Sequence, residues 1–112
     1  MNTNEEMKID MKLFENLETD YEKIQFITES QLSYYYNLNN NIKKSIIRLD
    51  RDDYTDDDLR NAGFVIGLED SLEEINIDNM KKEILLNDLN DYYNENIVYI
   101  FHWVNELNKL IA

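Results

Sequence analysis

The sequence predicts an all-α fold, a single-domain bundle of about four helices with antiparallel neighbours and an acidic surface. Proline is absent from the 112 residues and glycine occurs only at positions 63 and 67, which suits long helices better than a turn-rich β fold. Apolar residues recur at helical spacing along most of the chain, and no strand-like alternation competes with them. Because there is no linker or internal repeat, residues 1–112 are predicted to form one domain.

Two capping-box patterns, each a threonine followed three residues later by a glutamate, predict helix starts near the beginning of the chain. Thr3-Asn4-Glu5-Glu6 precedes an apolar stripe from Met7 to Leu17, so a first helix is expected over roughly residues 4–18. At Thr19-Asp20-Tyr21-Glu22, either a second helix starts or the first one continues. The stripe then runs on to Leu49, and the asparagines within residues 37–41 make a kink or break near 39–41 an alternative.

Thr55-Asp56-Asp57-Asp58 predicts a third helix start, since aspartates in a first turn complement the positive end of the helix dipole. This helix is expected to run to about residue 75. Gly63 and Gly67 are interpreted as small residues on one face that let a neighbouring helix approach closely, and a helix stop at Gly63 is the alternative.

A polar turn over residues 76–79 is expected to separate the third helix from the last one. The last helix is expected over residues 80–111, with Asp78 or Asn79 as its N-terminal cap. In an alternative interpretation, Asn94-Glu95-Asn96 divides this last segment into two helices.

The charge of the chain is strongly negative and unevenly distributed. Its 24 acids and 11 bases give a formal net charge of −13. Residues 50–78 contain eleven acids against Arg51 and Arg60, a net charge of −9, whereas the other 83 residues contain thirteen acids and nine bases, a net charge of −4. We expect such a surface to repel nucleic acid and anionic membranes and to attract basic proteins.

The aspartate cluster between Leu49 and Leu59 does not match a calcium-binding loop in either register. An EF-hand loop starting at Asp50 places Thr55 where the turn needs glycine and Asn61 where the bidentate glutamate belongs. A start at Asp52 places Arg60 and Gly63 at ligand positions. Cysteine is absent, which excludes thiolate zinc sites and disulfides. No metal site and no cofactor is predicted.

The sequence carries no catalytic signature, so no catalytic residue is predicted and the protein is not expected to be an enzyme. His102 is the only histidine and forms neither a Glu-x-x-His nor a His-Glu-x-x-His pattern. Glycine-rich phosphate loops and nucleophile elbows are also absent. The N-terminal residues lack the features of a signal peptide, and the longest apolar run, residues 97–101, is too short to span a bilayer. A cytoplasmic protein is expected.

The acids on the predicted third helix form two i,i+4 pairs, Glu69 with Glu73 and Asp70 with Glu74. Side chains at this spacing lie about 5–6 Å apart at Cβ, which is comparable to a file of backbone phosphates. Together with the aspartate cluster they suggest one partner-binding face. Its candidate residues are Asp50, Asp52, Asp53, Tyr54, Asp56, Asp57, Asp58, Glu69, Asp70, Glu73, Glu74 and Asp78.

In charge, size and lack of catalytic motif, the chain is similar to the small acidic proteins by which phages and mobile elements inhibit host nucleic-acid enzymes. These include DNA mimics and some anti-CRISPR proteins. The sequence favours a non-enzymatic inhibitor that binds the basic surface of a nuclease or other nucleic-acid-binding protein by mimicry. The alternatives are an immunity protein that neutralises a cognate toxin and a structural helical partner, such as a homodimer formed through the Met7–Leu17 or Tyr92–Ile111 stripe.

Overall fold

A computed structural model describes the backbone of residues 3–112 and the side chains of residues 7–112. Over this range the chain is all-α, as predicted, with four principal helices and no strand. The first is α1 (Thr3–Glu15). The second is a continuous run of α2 (Asp20–Gln25), a π-helical segment (Phe26–Leu32) and α3 (Ser33–Leu49). The others are α4 (Asp56–Val65) and α5 (Lys82–Ile111), and two 3-10 turns, Leu72–Glu74 and Ile77–Asn79, lie between them.

Local capping determines where the second helical run begins. The hydroxyl of Thr19 accepts a hydrogen bond from the Glu22 N–H at 3.1 Å, so a new helix starts there and α1 does not continue through it. α1 ends at Glu15, three residues before its predicted end. The capping box predicted at Thr3 lies outside the residues whose side chains are described. α5 is one helix, without the alternative division at residues 94–96.

The irregularity of the second helical run lies earlier than the asparagine-rich stretch. α3 is continuous through residues 39–41, and the wide π-helical turns occupy Phe26–Leu32 instead. The buried residues Ile27, Gln31 and Tyr35 are spaced four apart, more than the 3.6 residues of an α-helical turn. Wider π turns keep such residues on one face. The alternative of a kink or break at residues 39–41 is therefore wrong, because α3 is continuous there and the irregular turns end at Leu32.

Contacts divide the chain into two compact units, each with its own core. Unit one comprises the described residues up to Asn37 together with Ile97–Ala112. At its centre Trp103 is 1% exposed and lies edge-on to Phe14 and Phe26, with ring centroids 5.5 and 5.7 Å away. α3 and α5 contribute residues to both units, and a single domain stays a prediction.

Unit two comprises Leu38–Asn96. Its buried cluster joins residues of α3, α4 and α5, namely Ile42, Leu49, Leu59, Ala62, Leu85 and Leu89. Two asparagines are also buried in this unit. The Asn39 Oδ1 and the Asn96 Nδ2 have no hydrogen-bond partner among the described residues, an arrangement that costs folding free energy.

α4 ends ten residues earlier than predicted, in a Schellman motif centred on Gly67. The Leu68 N–H donates to the Gly63 carbonyl and the Gly67 N–H to the Phe64 carbonyl, both at 3.0 Å, and Gly67 has a φ of +79°. This left-handed residue ends the helix. Both sequence interpretations of the glycines are therefore wrong: Gly63 lies inside α4 and packs against the Met80 side chain, and Gly67 lies beyond the helix.

Candidate functional site

The first group of candidate residues lies in the loop that follows α3. Leu49 is fully buried and anchors the end of that helix, whereas Asp50, Asp52 and Asp53 are exposed. The Nε and Nη2 of Arg51 donate to the two carboxylate oxygens of Asp53 at 3.1 and 3.2 Å. This bidentate pair compensates one of the three aspartates, although exposed ion pairs contribute little to stability.

The next three aspartates form the first turn of α4, as predicted. The Thr55 hydroxyl accepts from the Asp58 N–H at 3.3 Å, and an Asp58 oxygen accepts from the Thr55 N–H at 2.9 Å. This reciprocal capping box satisfies two N–H groups at the start of the helix. Asp57 lies 3.6 Å from Arg60 in an exposed pair. The structure therefore assigns Asp58 a role in folding and leaves Asp56 exposed in the same turn.

Tyr54 connects the loop to the beginning of α5. Its side chain is 37% exposed, and the Lys82 Nζ lies 5.0 Å from the centroid of its ring. A lysine at this distance makes a cation–π interaction with the ring. The ring face that Lys82 covers is therefore occupied within the protein.

The second group of candidate acids does not lie on an α-helix, so the predicted i,i+4 pairs are wrong. Glu69 and Asp70 lie in irregular chain after Gly67, while Glu73 and Glu74 lie in a single 3-10 turn. Gly67 ends α4 before these acids. An α-helix through them would also place like charges four residues apart, which costs about 0.2–0.5 kcal/mol per pair. The regularly spaced row of carboxylates that the sequence predicted on this helix does not form.

Most of the acids in residues 50–78 have no bonding partner. Asp53 and Asp57 are paired with arginines and Asp58 caps α4. The remaining eight are exposed, and their carboxylates make no hydrogen bond or ion pair with any described residue: Asp50, Asp52, Asp56, Glu69, Asp70, Glu73, Glu74 and Asp78. Their charges face solvent uncompensated by a neighbouring base.

A cleft of about 560 Å³ in unit two is lined by residues of α3, of α4 and of the 3-10 turn that follows α4. Asp58 from the first turn of α4 and Leu72 from the 3-10 turn both line it. The turn that carries Glu73 and Glu74 therefore borders the same opening as the start of α4.

The cleft also contains two residues that the sequence analysis did not select, Lys44 and Arg48 of α3. The signal for them was present, because two bases four residues apart on a helix share one face.

The stripes considered for a homodimer contribute to the cores of the protein. Met7, Met11 and Leu17 pack against the cluster around Trp103, and Tyr92 packs against the cluster of unit two. Along α5, Val98 and Phe101 remain mostly exposed.

Comparison of the chain with protein-family models, curated proteins and solved structures finds no match. In the described part of the chain, no three histidine or carboxylate side chains converge as metal ligands. Of the helices over residues 3–112, none combines the length and apolar character needed to cross a bilayer.

Proposed function

We propose that the protein is a non-enzymatic inhibitor, of the kind used by phages and mobile elements, that acts in the cytoplasm on a nuclease or another nucleic-acid-binding protein. Its acidic surface occupies the basic site that holds nucleic acid on that partner. The observation that carries the proposal is the set of eight exposed carboxylates without partners within residues 50–78.

Exposed carboxylates can be bound by the same arginine and lysine side chains that bind phosphates. Arginine and lysine form charge-assisted hydrogen bonds with carboxylates, and these are roughly twice as strong as neutral ones. A concentrated negative surface also accelerates encounter with a basic partner, an effect that salt screens. The same charge repels nucleic acid and anionic membranes, so neither is a direct ligand in this proposal.

The geometry supports mimicry of charge density and not of regular phosphate spacing. The acids lie in a loop, a first helical turn and a 3-10 turn, with no constant distance between them. Partner lysines have long rotatable side chains and can adjust to such an arrangement. An anti-CRISPR protein is one member of this class, and the positively charged channel of an RNA-guided nuclease is a suitable target.

The test compares two fourfold charge reversals that make the same change in net charge at different locations. The first replaces unpaired acids of the candidate surface with lysine, at Asp52, Asp56, Glu73 and Glu74. The control replaces exposed glutamates of unit one, at Glu15, Glu18, Glu22 and Glu29. Each variant changes four charges from −1 to +1, so both shift the net charge from −13 to −5. Circular dichroism verifies that each variant retains its helices.

Immobilised wild-type protein is first used to capture a partner from a lysate of the native host. The partner is then purified, and its affinity for wild type and for each variant is measured directly. The first variant should lose about 100-fold or more in affinity, because charge-assisted hydrogen bonds contribute about 1.5–3 kcal/mol each. The control should bind within a few-fold of wild type, and duplex DNA or RNA should displace the partner. Equal affinity of the two variants, or a complex insensitive to nucleic acid, would contradict the proposal.

A further inference from the structure

The cleft between α3 and α4 has a charge opposite to that of the surface around it. Lys44 and Arg48 both line it and both belong to α3. Neither makes an ion pair or hydrogen bond with any described residue, although the chain has more than twice as many acids as bases. Two like charges at this spacing repel each other, and neither base is within ion-pair distance of a described carboxylate.

The acids that line the cleft and the smaller recess beside it have other bonding partners. Asp58 lines the cleft, but one of its oxygens accepts the Thr55 N–H at 2.9 Å at the positive end of α4. Arg48 also lines a smaller recess of about 210 Å³ beside Asp53, whose two oxygens are bound by Arg51. Arg48 therefore shares this recess with two carboxylates that have other partners, and it forms an ion pair with neither.

The other walls of the cleft are apolar and amide-bearing. Phe64 and Leu72 line it and are 43% and 39% exposed, which is high for large apolar side chains. Asn41 and Asn61 add amide groups that donate and accept hydrogen bonds. The volume of about 560 Å³ lies within the range of about 300–1,000 Å³ for small-molecule sites.

We infer that this cleft binds a small organic anion, a carboxylate or phosphate carried on a planar apolar group. Lys44 and Arg48 hold the anionic group, and Phe64 and Leu72 contact the apolar part. Such a ligand supplies a negative charge to pair with the two bases, and it covers apolar surface that is otherwise exposed to water. The inference does not rest on the proposed function, since it concerns bases of α3 and not the acidic surface.

The test is an NMR titration of the ¹⁵N-labelled protein with phenyl phosphate and, separately, benzoate. Phenol carries the ring without the charge, and inorganic phosphate carries the charge without the ring. Saturable shifts at the cleft residues are expected with at least one of the two aromatic anions. That anion should bind about tenfold or more tightly than phenol or inorganic phosphate, because only it uses both parts of the site.

Two neighbouring lysines provide a matched control. Lys44→Gln should weaken binding about tenfold. The double variant that also carries Arg48→Gln should show no saturable binding. Lys43→Gln makes the same charge change one residue away on α3, at an exposed side chain that is not among the cleft residues, and should leave the affinity unchanged. Equal weakening by the two lysine variants, or no saturation by either aromatic anion, would overturn the inference.

Discussion

Replacement by alanine is expected to destabilise the protein at Gly67 but not at Gly63. Gly67 has a φ of +79°, and an added Cβ would meet no atom within 4 Å. The effect of Gly67→Ala is therefore confined to the backbone, where the left-handed conformation costs a non-glycine residue about 1–2 kcal/mol. Alanine also restricts the unfolded chain, which returns about 0.4–1 kcal/mol. We expect a net loss of about 1 kcal/mol in the free energy of unfolding.

Gly63 lies in the interior of α4, where alanine favours the helix by about 1 kcal/mol relative to glycine. Its added Cβ would lie 2.7 Å from the Met80 Cε, 3.4 Å from the Leu68 Cδ1 and 3.5 Å from the Ile75 Cδ1. The closest atom is the end of a flexible side chain, which can rotate away at small cost. Gly63→Ala should therefore leave stability unchanged or raise it by up to about 1 kcal/mol.

Urea unfolding followed by far-ultraviolet circular dichroism measures both variants against wild type. If α4 instead continued through residue 67, Gly67→Ala would stabilise the protein by about 1 kcal/mol. A more stable Gly67→Ala variant would therefore refute the Schellman assignment. A loss of several kcal/mol in Gly63→Ala would show that Met80 cannot move and that the packing argument at this position is wrong.

Two further substitutions test the interior and the capping of unit two. Asn96 is 1% exposed and its Nδ2 has no partner among the described residues, so Asn96→Leu should raise the free energy of unfolding by about 1–3 kcal/mol. A less stable Asn96→Leu protein in urea unfolding would mean that the amide is satisfied. Thr55→Ala removes one half of the capping box and should cost about 1 kcal/mol. Thr55→Ser keeps the acceptor oxygen and should stay near wild type in the same assay.

The starts of α2 and α4 were predictable because caps are local. At each start, a threonine hydroxyl accepts a hydrogen bond from the N–H of the residue three positions further along the chain. Neighbouring residues are enough to determine that geometry. The all-α class was predictable for a related reason, since helical periodicity is a property of a continuous stretch.

The positions at which the helices end were harder to predict from the sequence. α4 ends at Val65, in the motif centred on Gly67, and not at residue 75, and the glycine signal alone did not distinguish positions 63 and 67.

The candidate site shows the same division. The net charge of −9 on residues 50–78 follows from the sequence, because composition is independent of the fold. The arrangement of the acids after α4 depends on packing instead. Ile75 of that segment is buried, and the Met80 side chain packs against Gly63 of α4. The chain therefore turns back on α4 in 3-10 turns, and the predicted charge pairs on a helix do not form.

The helical class and the uneven charge thus follow from the sequence, since periodicity and composition require no knowledge of distant contacts. The tertiary structure decided that Lys82 covers the Tyr54 ring and that Lys44 shares a cleft with Phe64 and Leu72. Each of these facts depends on a distance between side chains about 20 or more residues apart in sequence, and such distances exist only once the chain has folded.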